Sequence, residues 1–352
     1  MQRLAAASLL LAPKAPKALT ALMSLTALAV LTALSPLAQA GTAQTDARTG
    51  ARTAVAPVPQ TALSSGAPSN AHTEDHADIR PAASLKFESG FAGPPASTWP
   101  ADAPPVRFYF APGASAPSCG LLVASNRQVL PLLEPDEGSS FPQCVGVPAA
   151  MVLQQGSERF LLLRIQQQDT REDRSLNDLL LLERGGVPQL RDDLATTSAP
   201  DSSKPLTQVA AWLRARWALQ TDADQGARPL PEHTVTTPSA YLAVSQKPGG
   251  SCQFSAGTPD RPAPLLQVTH PCERVAATSG FQQGAESWFV VLLGGGTGVG
   301  SVGRGQALVF VVDAKGGREQ PELAAELQPK AAEGKILPLR QALQKRVTKP
   351  KS

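Results

Sequence analysis

Aromatic residues make up only 5% of the 352, charged residues 17%, and cysteines number just four. After one apolar run at 18–35 no second long apolar stretch follows, which excludes a multi-span helical membrane protein. The 42% hydrophobic share equally excludes a wholly disordered chain. There is no C-x-x-C spacing for a cysteine metal site, and no G-x-S-x-G, Walker A, H-E-x-x-H or calcium-loop pattern. Residues 1–40 contain no acid at all.

What those forty residues do contain is an address. Arg3, Lys14 and Lys17 precede the apolar run Ala18 to Ser35, Pro36 breaks it, and Ala38-Gln39-Ala40 follows. Basic, apolar and small-x-small, in that order, is the layout of a secretory signal peptide cleaved before Gly41. The rival is an uncleaved anchor, since the run approaches the roughly 20 residues that span a bilayer. Its many Thr, Ser and Ala residues and the A-x-A ending favour cleavage, so no integral membrane insertion is expected afterwards. The expected compartment is periplasmic or secreted. The formal charge of +3 also resides here: the remaining 29 bases face 29 acids. A neutral mature chain lacks the Lys/Arg surplus that phosphate binding needs, so nucleic acid is not an expected partner.

Residues 41–105 are rich in Ala, Thr, Ser, Pro and Gly, with nine prolines between 41 and 106 and no apolar periodicity. Such a stretch buries too little surface to offset its ordering entropy and reads as a disordered linker. Leu85-Lys86-Phe87 is a short hydrophobic patch able to dock onto the body.

From 106 onward the chain reads as two copies of one unit. CVGVPAAMVLQQGSERF (144–160) faces CERVAATSGFQQGAESW (272–288) without gaps, with seven identities in seventeen: Cys, Val147/Val275, Ala149/Ala277, Gln-Gln-Gly, and Glu158/Glu286. Tyr109-Phe110-Ala111 matches Tyr241-Leu242-Ala243, and FLLLRI (160–165) matches WFVVLL (288–293). A period near 130 is too long for a solenoid repeat and implies tandem domains. The expected layout is a first domain at 106–220, an interdomain linker at 221–238, a second domain at 239–348 and a basic tail at 349–352.

Apolar or β-branched runs between Gly, Pro and Asp clusters predict six strands per copy. They fall at 106–111, 119–124, 128–133, 144–153, 160–167 and 177–183, then at 239–245, 251–255, 264–269, 272–277, 287–293 and 306–313. FLLLRI and WFVVLL do not alternate, which predicts strands buried on both faces. LTQVAAWLRARW (206–217) predicts a helix with one apolar stripe, Leu206, Val209, Ala210, Leu213 and Trp217, leaving Arg214 and Arg216 outside it. ILPLRQALQKRV (336–347) is its counterpart, and Pro205 and Pro338 suit helix starts. The expected fold class is therefore α+β: two tandem duplicated domains, each a mainly antiparallel β-sheet closed by a C-terminal helix.

In an exported chain an even cysteine count reads as disulfides. Of three possible pairings, only Cys119–Cys144 with Cys252–Cys272 lets each copy staple itself.

The remaining chemical candidates each have a plainer reading beside them. Gly298-Val299-Gly300-Ser301-Val302-Gly303 matches G-x-G-x-x-G, but a strand rather than a helix follows it, so a hairpin loop is expected and no cofactor. His72 and His76, near Glu74, Asp75 and Asp78, have metal-like spacing, but a Pro/Ala-rich tether fixes no geometry, so no metal is expected. His270 flanks Cys272 and has no counterpart in the first copy. His233 lies in the interdomain linker. Glu158 and Glu286 could form an acid–base pair across a cleft, or simply flank a Gly turn. The second copy, 239–352, carries 13 bases against 8 acids, and the first, 105–222, carries 11 against 13. Lys345, Arg346, Lys349 and Lys351 form the local basic cluster, suited to weak contact with anionic envelope polymers or to a helix C-terminus.

The reading is an exported, non-enzymatic binding protein recognising a protein or cell-envelope polymer. The alternatives are a secreted hydrolase using Glu158 or Glu286 between the copies, and an inhibitor of an exported enzyme acting through 294–305.

Overall fold

The computed structural model describes residues 79–87, 99–123, 127–191, 194, 199–294 and 305–348. The chain divides into a unit of residues 1–70, none of them described, and a compact unit of 71–352. Among the described residues the architecture is mostly antiparallel β-sheet with three α-helices and two disulfides.

The first sheet comprises β1 (Arg80–Pro81), β2 (Lys86–Phe87), β3 (Val106–Phe110), β4 (Ser118–Val123) and β5 (Gln128–Leu133), in the order β1-β5-β4-β3-β2. A four-stranded meander follows: β6 (Gln143–Gln155), β7 (Glu158–Gln168), β8 (Arg174–Arg184) and β9 (Val187–Arg191). Then come α1 (Leu206–Asp224), the two-residue strands β10 (Arg228–Pro229) and β11 (Val235–Thr236), and β12 (Tyr241–Lys247), β13 (Ser251–Gly257) and β14 (Leu266–Pro271). β10-β12-β13-β14 run in that order, with β11 also on β12. A second meander, β15 (Arg274–Gln283), β16 (Glu286–Gly294), β17 (Gln306–Asp313) and β18 (Gly316–Glu319), leads into α2 (Pro321–Ala331) and α3 (Ile336–Thr348).

The alternation of side chains sorts the apolar residues into layers. Val106, Phe108, Leu121 and Leu130 of the first sheet pack against Leu161, Leu163, Ile165 and Leu181 of the β6–β9 sheet. On the other face of that second sheet, Phe160, Leu162, Leu180 and Leu182 meet Val209, Leu213 and Trp217 of α1. The run FLLLRI is thus buried on both sides. The later half is layered too. Leu242, Val244 and Phe254 pack against Phe289, Val291 and Phe310. Val290, Val309 and Val311 on the far face meet Leu327, Leu339 and Leu343 of α2 and α3.

Two further clusters join these layers end to end. Ala211, Ala215 and Leu219 of α1 pack on Tyr241 and Ala243 of β12. The helix therefore lies between two sheets and buries apolar residues on two sides, while its Gln208 and Arg216 side and its C-terminal end stay partly open. This corrects the single-stripe expectation: Arg214, placed outside the stripe, is 2% exposed. The outer face of the first sheet, with Tyr109, Leu122 and Val129, is covered by Ala82 and Leu85 from the segment 79–87. That short strap lies within the stretch read as linker, and its Lys86 and Phe87 pair with Phe110 and Tyr109.

The cysteines are bonded as Cys119–Cys144 and Cys252–Cys272, with Cα–Cα distances of 5.8 and 5.6 Å. Cys144 donates its backbone N–H to the carbonyl of Pro117 and Cys272 donates its own to Gly250, both at 3.0 Å. Each acceptor lies two residues before the other cysteine of the pair. Sequence patterning missed the two-residue strands β1, β2, β10 and β11, which fall in stretches read as linkers, and also β9, β18 and α2. β9 is five residues with a proline, β18 (GGRE) has no apolar residue, and α2 carries Pro329 inside it.

Candidate functional site

α1 borders two concavities among the described residues. Along one side its Gln208, Trp212 and Arg216, four residues apart and hence on one face, border an open groove of about 590 Å³. Lys204 and Asp201 flank it from the first half, and Pro231, Thr234 and Thr236 from the second. The Arg216 guanidinium lies 4.8 Å above the Trp212 ring centroid, and Gln208 Nε2 donates to Thr236 Oγ1 at 3.4 Å. Thr234 Oγ1 is buried without a hydrogen-bond partner.

A second stripe of the helix, Arg214, Ala218, Asp222 and Gln225, borders a smaller cavity of about 140 Å³ closed by Tyr241 and Ser255. Arg214 Nε donates to the Pro259 carbonyl at 3.0 Å, and its Nη1 donates to the Gln154 carbonyl, so this side chain ties both halves to the helix. Burial pushes the Arg214 guanidinium below its ordinary value, while Tyr241 and Asp260 oppose that shift. At the other end Asp222, 1% exposed, accepts from Ser245 Oγ at 2.8 Å and from Gln253 Nε2. Its carboxyl is raised above the ordinary value by burial, against the hydrogen bonds and the charge of Lys247. Between them burial pushes the Tyr241 hydroxyl up to about 12, with Arg214 lowering it and Asp222 raising it. Such a setting offers a fixed guanidinium, two hydroxyls and a protonatable acid to a small polar guest.

The residues singled out from sequence lie elsewhere. Glu158 and Glu286 each begin a strand after a Gly turn, at φ 57° for Gly156 and 59° for Gly284. Glu158 pairs with Arg184 at 3.4 Å and Glu286 with Arg318 at 3.2 Å, and neither lines the groove or the cavity. The Gln before each turn behaves alike too: Gln154 Nε2 donates to the Gly156 carbonyl at 3.3 Å, and Gln282 Nε2 to that of Gly284 at 3.1 Å. The Gln-Gln-Gly identity is therefore turn chemistry. His270 Nε2 lies 3.1 Å from Glu319 Oε2, joining β14 to β18, and His233 Nε2 is 3.9 Å from Glu232. Lys345 and Arg346 fall in the last turn of α3, and Arg346 bonds Glu326 of α2 at 2.9 Å. His72, His76, the glycine motif at 298–303 and the tail 349–352 lie outside the described residues.

Among the described residues no three His, Cys, Asp or Glu side chains gather as metal ligands, and no helix is long and apolar enough to cross a membrane. Sequence reasoning missed Arg214, Asp222, Tyr241 and Ser255 as neighbours. The available signal was that Ala211, Ala215 and Leu219 extend apolar character beyond the first stripe, which marks the helix as covered on a second side.

No protein-family model and no curated protein matches the chain. Among solved structures it is similar to the Bombyx mori GH32 beta-fructofuranosidase BmSUC1, at 12% identity over 67% of this chain, with a TM-score of 0.19. The match spans about half of that enzyme, 48% of its length, and at that score it carries no argument about fold or activity.

Proposed function

We propose that this is an exported binding protein that holds an anionic cell-envelope polymer in the groove along α1. The observation that carries this reading is the groove itself: both halves build it, it is open, and Lys204 and Arg216 flank a tryptophan along its length. An open, extended concavity with cations beside an aromatic suits a chain-like ligand better than a small enclosed one. Export follows from the signal-like residues 1–40 and is supported by two core disulfides, which persist in oxidising compartments.

The two halves are read as tandem duplicates, each sheet pair closed by its C-terminal helix. The matching Cys–carbonyl hydrogen bonds, the Gln-capped Gly turns and the Glu–Arg pairs at corresponding positions support this. Hydrolysis by Glu158 or Glu286 gains no support from their placement on separate hairpin ends.

The test is retention of the purified protein on isolated cell-wall polymer at low and at high salt. Binding should be lost at high salt and weakened by Lys204→Glu. Retention that ignores both salt and this substitution would remove the groove reading. Retention only by an envelope protein would replace the polymer with a protein partner.

A further inference from the structure

We propose that the cavity bounded by Arg214, Tyr241 and Ser255 is a binding site for one small anion, an organic carboxylate or an inorganic oxyanion. This site is separate from the groove, and its existence does not depend on what the groove holds.

The argument starts from Arg214. Its side chain is 2% exposed, yet among the described residues it forms no ion pair, and it donates to two neutral backbone carbonyls, of Pro259 and Gln154. A guanidinium carries five N–H donors in a rigid fork, more than those two bonds use, and this one lines the cavity. Asp260 acts on this cation only at a distance and the Trp217 ring centroid lies 5.3 Å from its Cζ, so no carboxylate among the described residues bonds it directly, and an anion in the adjoining space compensates a buried cation far better than water does.

Ser255 supplies the second, independent observation. It is 1% exposed, its Oγ is buried without a hydrogen-bond partner, and it lines the same cavity. A hydroxyl left unpaired in a core is expected to have a partner that occupies the adjacent space. Arg214 and Ser255 come from different elements, α1 and β13, so they converge on that space only because the helix is laid across the β10–β14 sheet.

Asp222 does not oppose this. It lines the same cavity from two turns further along α1, about 12 Å along the axis from Arg214, and its oxygens are engaged by Ser245 and Gln253. Burial moves its carboxyl toward the neutral form. Near that end the exposed Thr221 and Gln225 border the cavity and provide its mouth. A volume of about 140 Å³ admits a guest of roughly benzene size, such as acetate, a short carboxylate or phosphate, and shuts out sugars and polymers.

The test uses the whole protein, titrated calorimetrically with sodium acetate and, separately, with sodium phosphate at constant ionic strength. Saturable binding of one ion per chain is expected for at least one probe; acetate alone assigns the site to organic carboxylates, phosphate alone to inorganic oxyanions. Ala218→Leu, at the partly exposed wall, should weaken that binding by about tenfold or more by occupying the space. Ser255→Ala, which removes only the unpaired hydroxyl, should weaken it several-fold. The proposal is overturned if neither probe binds saturably, or if both variants fold with parental Tm and bind as the parent does.

Discussion

Tyr109 near the end of β3 and Tyr241 at the start of β12 are both fully buried, the first opposite Ser118 and the second opposite Gly257, and they lie under different covers. Tyr109 lies beneath Ala82 and Leu85 of the strap, and Tyr241 beneath Ala211, Ala215 and Leu219 of α1. Each ring also crosses a glycine on the neighbouring strand. A Cβ at Gly120 would stand 3.1 Å from Tyr109 Cε1, and one at Gly257 3.0 Å from Tyr241 Oη. The first sheet thus borrows from an N-terminal strap the cover that the later sheet receives from a helix.

The strap is expected to act locally. Leu85→Ala should cost about 2 kcal/mol or somewhat more, the lower range for emptying a buried leucine site. Hydrogen exchange should speed up in β3, β4 and β5 while β12 and β13 keep their protection. Equal loss in both sheets would show that the strap supports the whole unit.

Cys119–Cys144 joins β4 of the first sheet to β6 of the next, and Cys252–Cys272 joins β13 to the turn between β14 and β15. Peptide mapping under non-reducing conditions should recover Cys119 with Cys144 and Cys252 with Cys272. Sequence separations of 25 and 20 give each bridge about 3–4 kcal/mol in the loop-entropy model. Replacing one pair by serine should lower the urea midpoint accordingly; a cross-half peptide would contradict the pairing.

Arg164 and Asp178 face each other across β7 and β8 in a bidentate pair at 2.6 and 2.7 Å, both side chains 9% exposed. Arg164 Nη1 also donates to the Lys204 carbonyl at 2.6 Å, fastening the approach to α1. Asp178→Asn should cost about 3–5 kcal/mol, because it strands a buried cation. The double variant Arg164→Met, Asp178→Leu should recover much of that loss in urea unfolding. A double variant as weak as the single one would show that the Lys204 contact matters more than the ion pair.

Asp222 sets a pH dependence of a definite sign. Its folded carboxyl titrates above the ordinary value of 3.8, so between the unfolded and folded values the native state holds a proton that the unfolded chain has lost. Its contribution is therefore complete below the unfolded value and declines as pH rises through the folded one. Asp222→Asn keeps an amide able to bond Ser245 and Gln253 and lacks that decline. The stability difference should move in favour of the Asn variant from about pH 3 to about pH 7. Denaturant curves showing a shift toward the wild type over that range would refute the assignment.

Strands were legible wherever burial on one or both faces wrote a pattern into the sequence. FLLLRI and WFVVLL read as strands buried on both faces, and the even cysteine count read as two disulfides, Cys119 with Cys144 and Cys252 with Cys272. β9, β18 and α2 were illegible because their positions are set by neighbours: an edge strand such as GGRE needs only a partner with free backbone groups. The cavity was hidden for a related reason. Arg214 looks like an ordinary surface arginine until the sheet carrying Tyr241 and Ser255 is known to lie across its helix, some 27 and 41 residues further on in the sequence.

Because α1 is built before the sheet that covers it, the order of synthesis matters. A chain halted after residue 224 would carry a finished helix with Ala211, Ala215 and Leu219 bare to water, and a buried-type arginine beside them. The second half then serves as a built-in chaperone for the first, sequestering an adhesive surface as β12 and β13 emerge. Separated by a protease, the first piece would bare that face of α1 and the second would bare Tyr241 and Ala243.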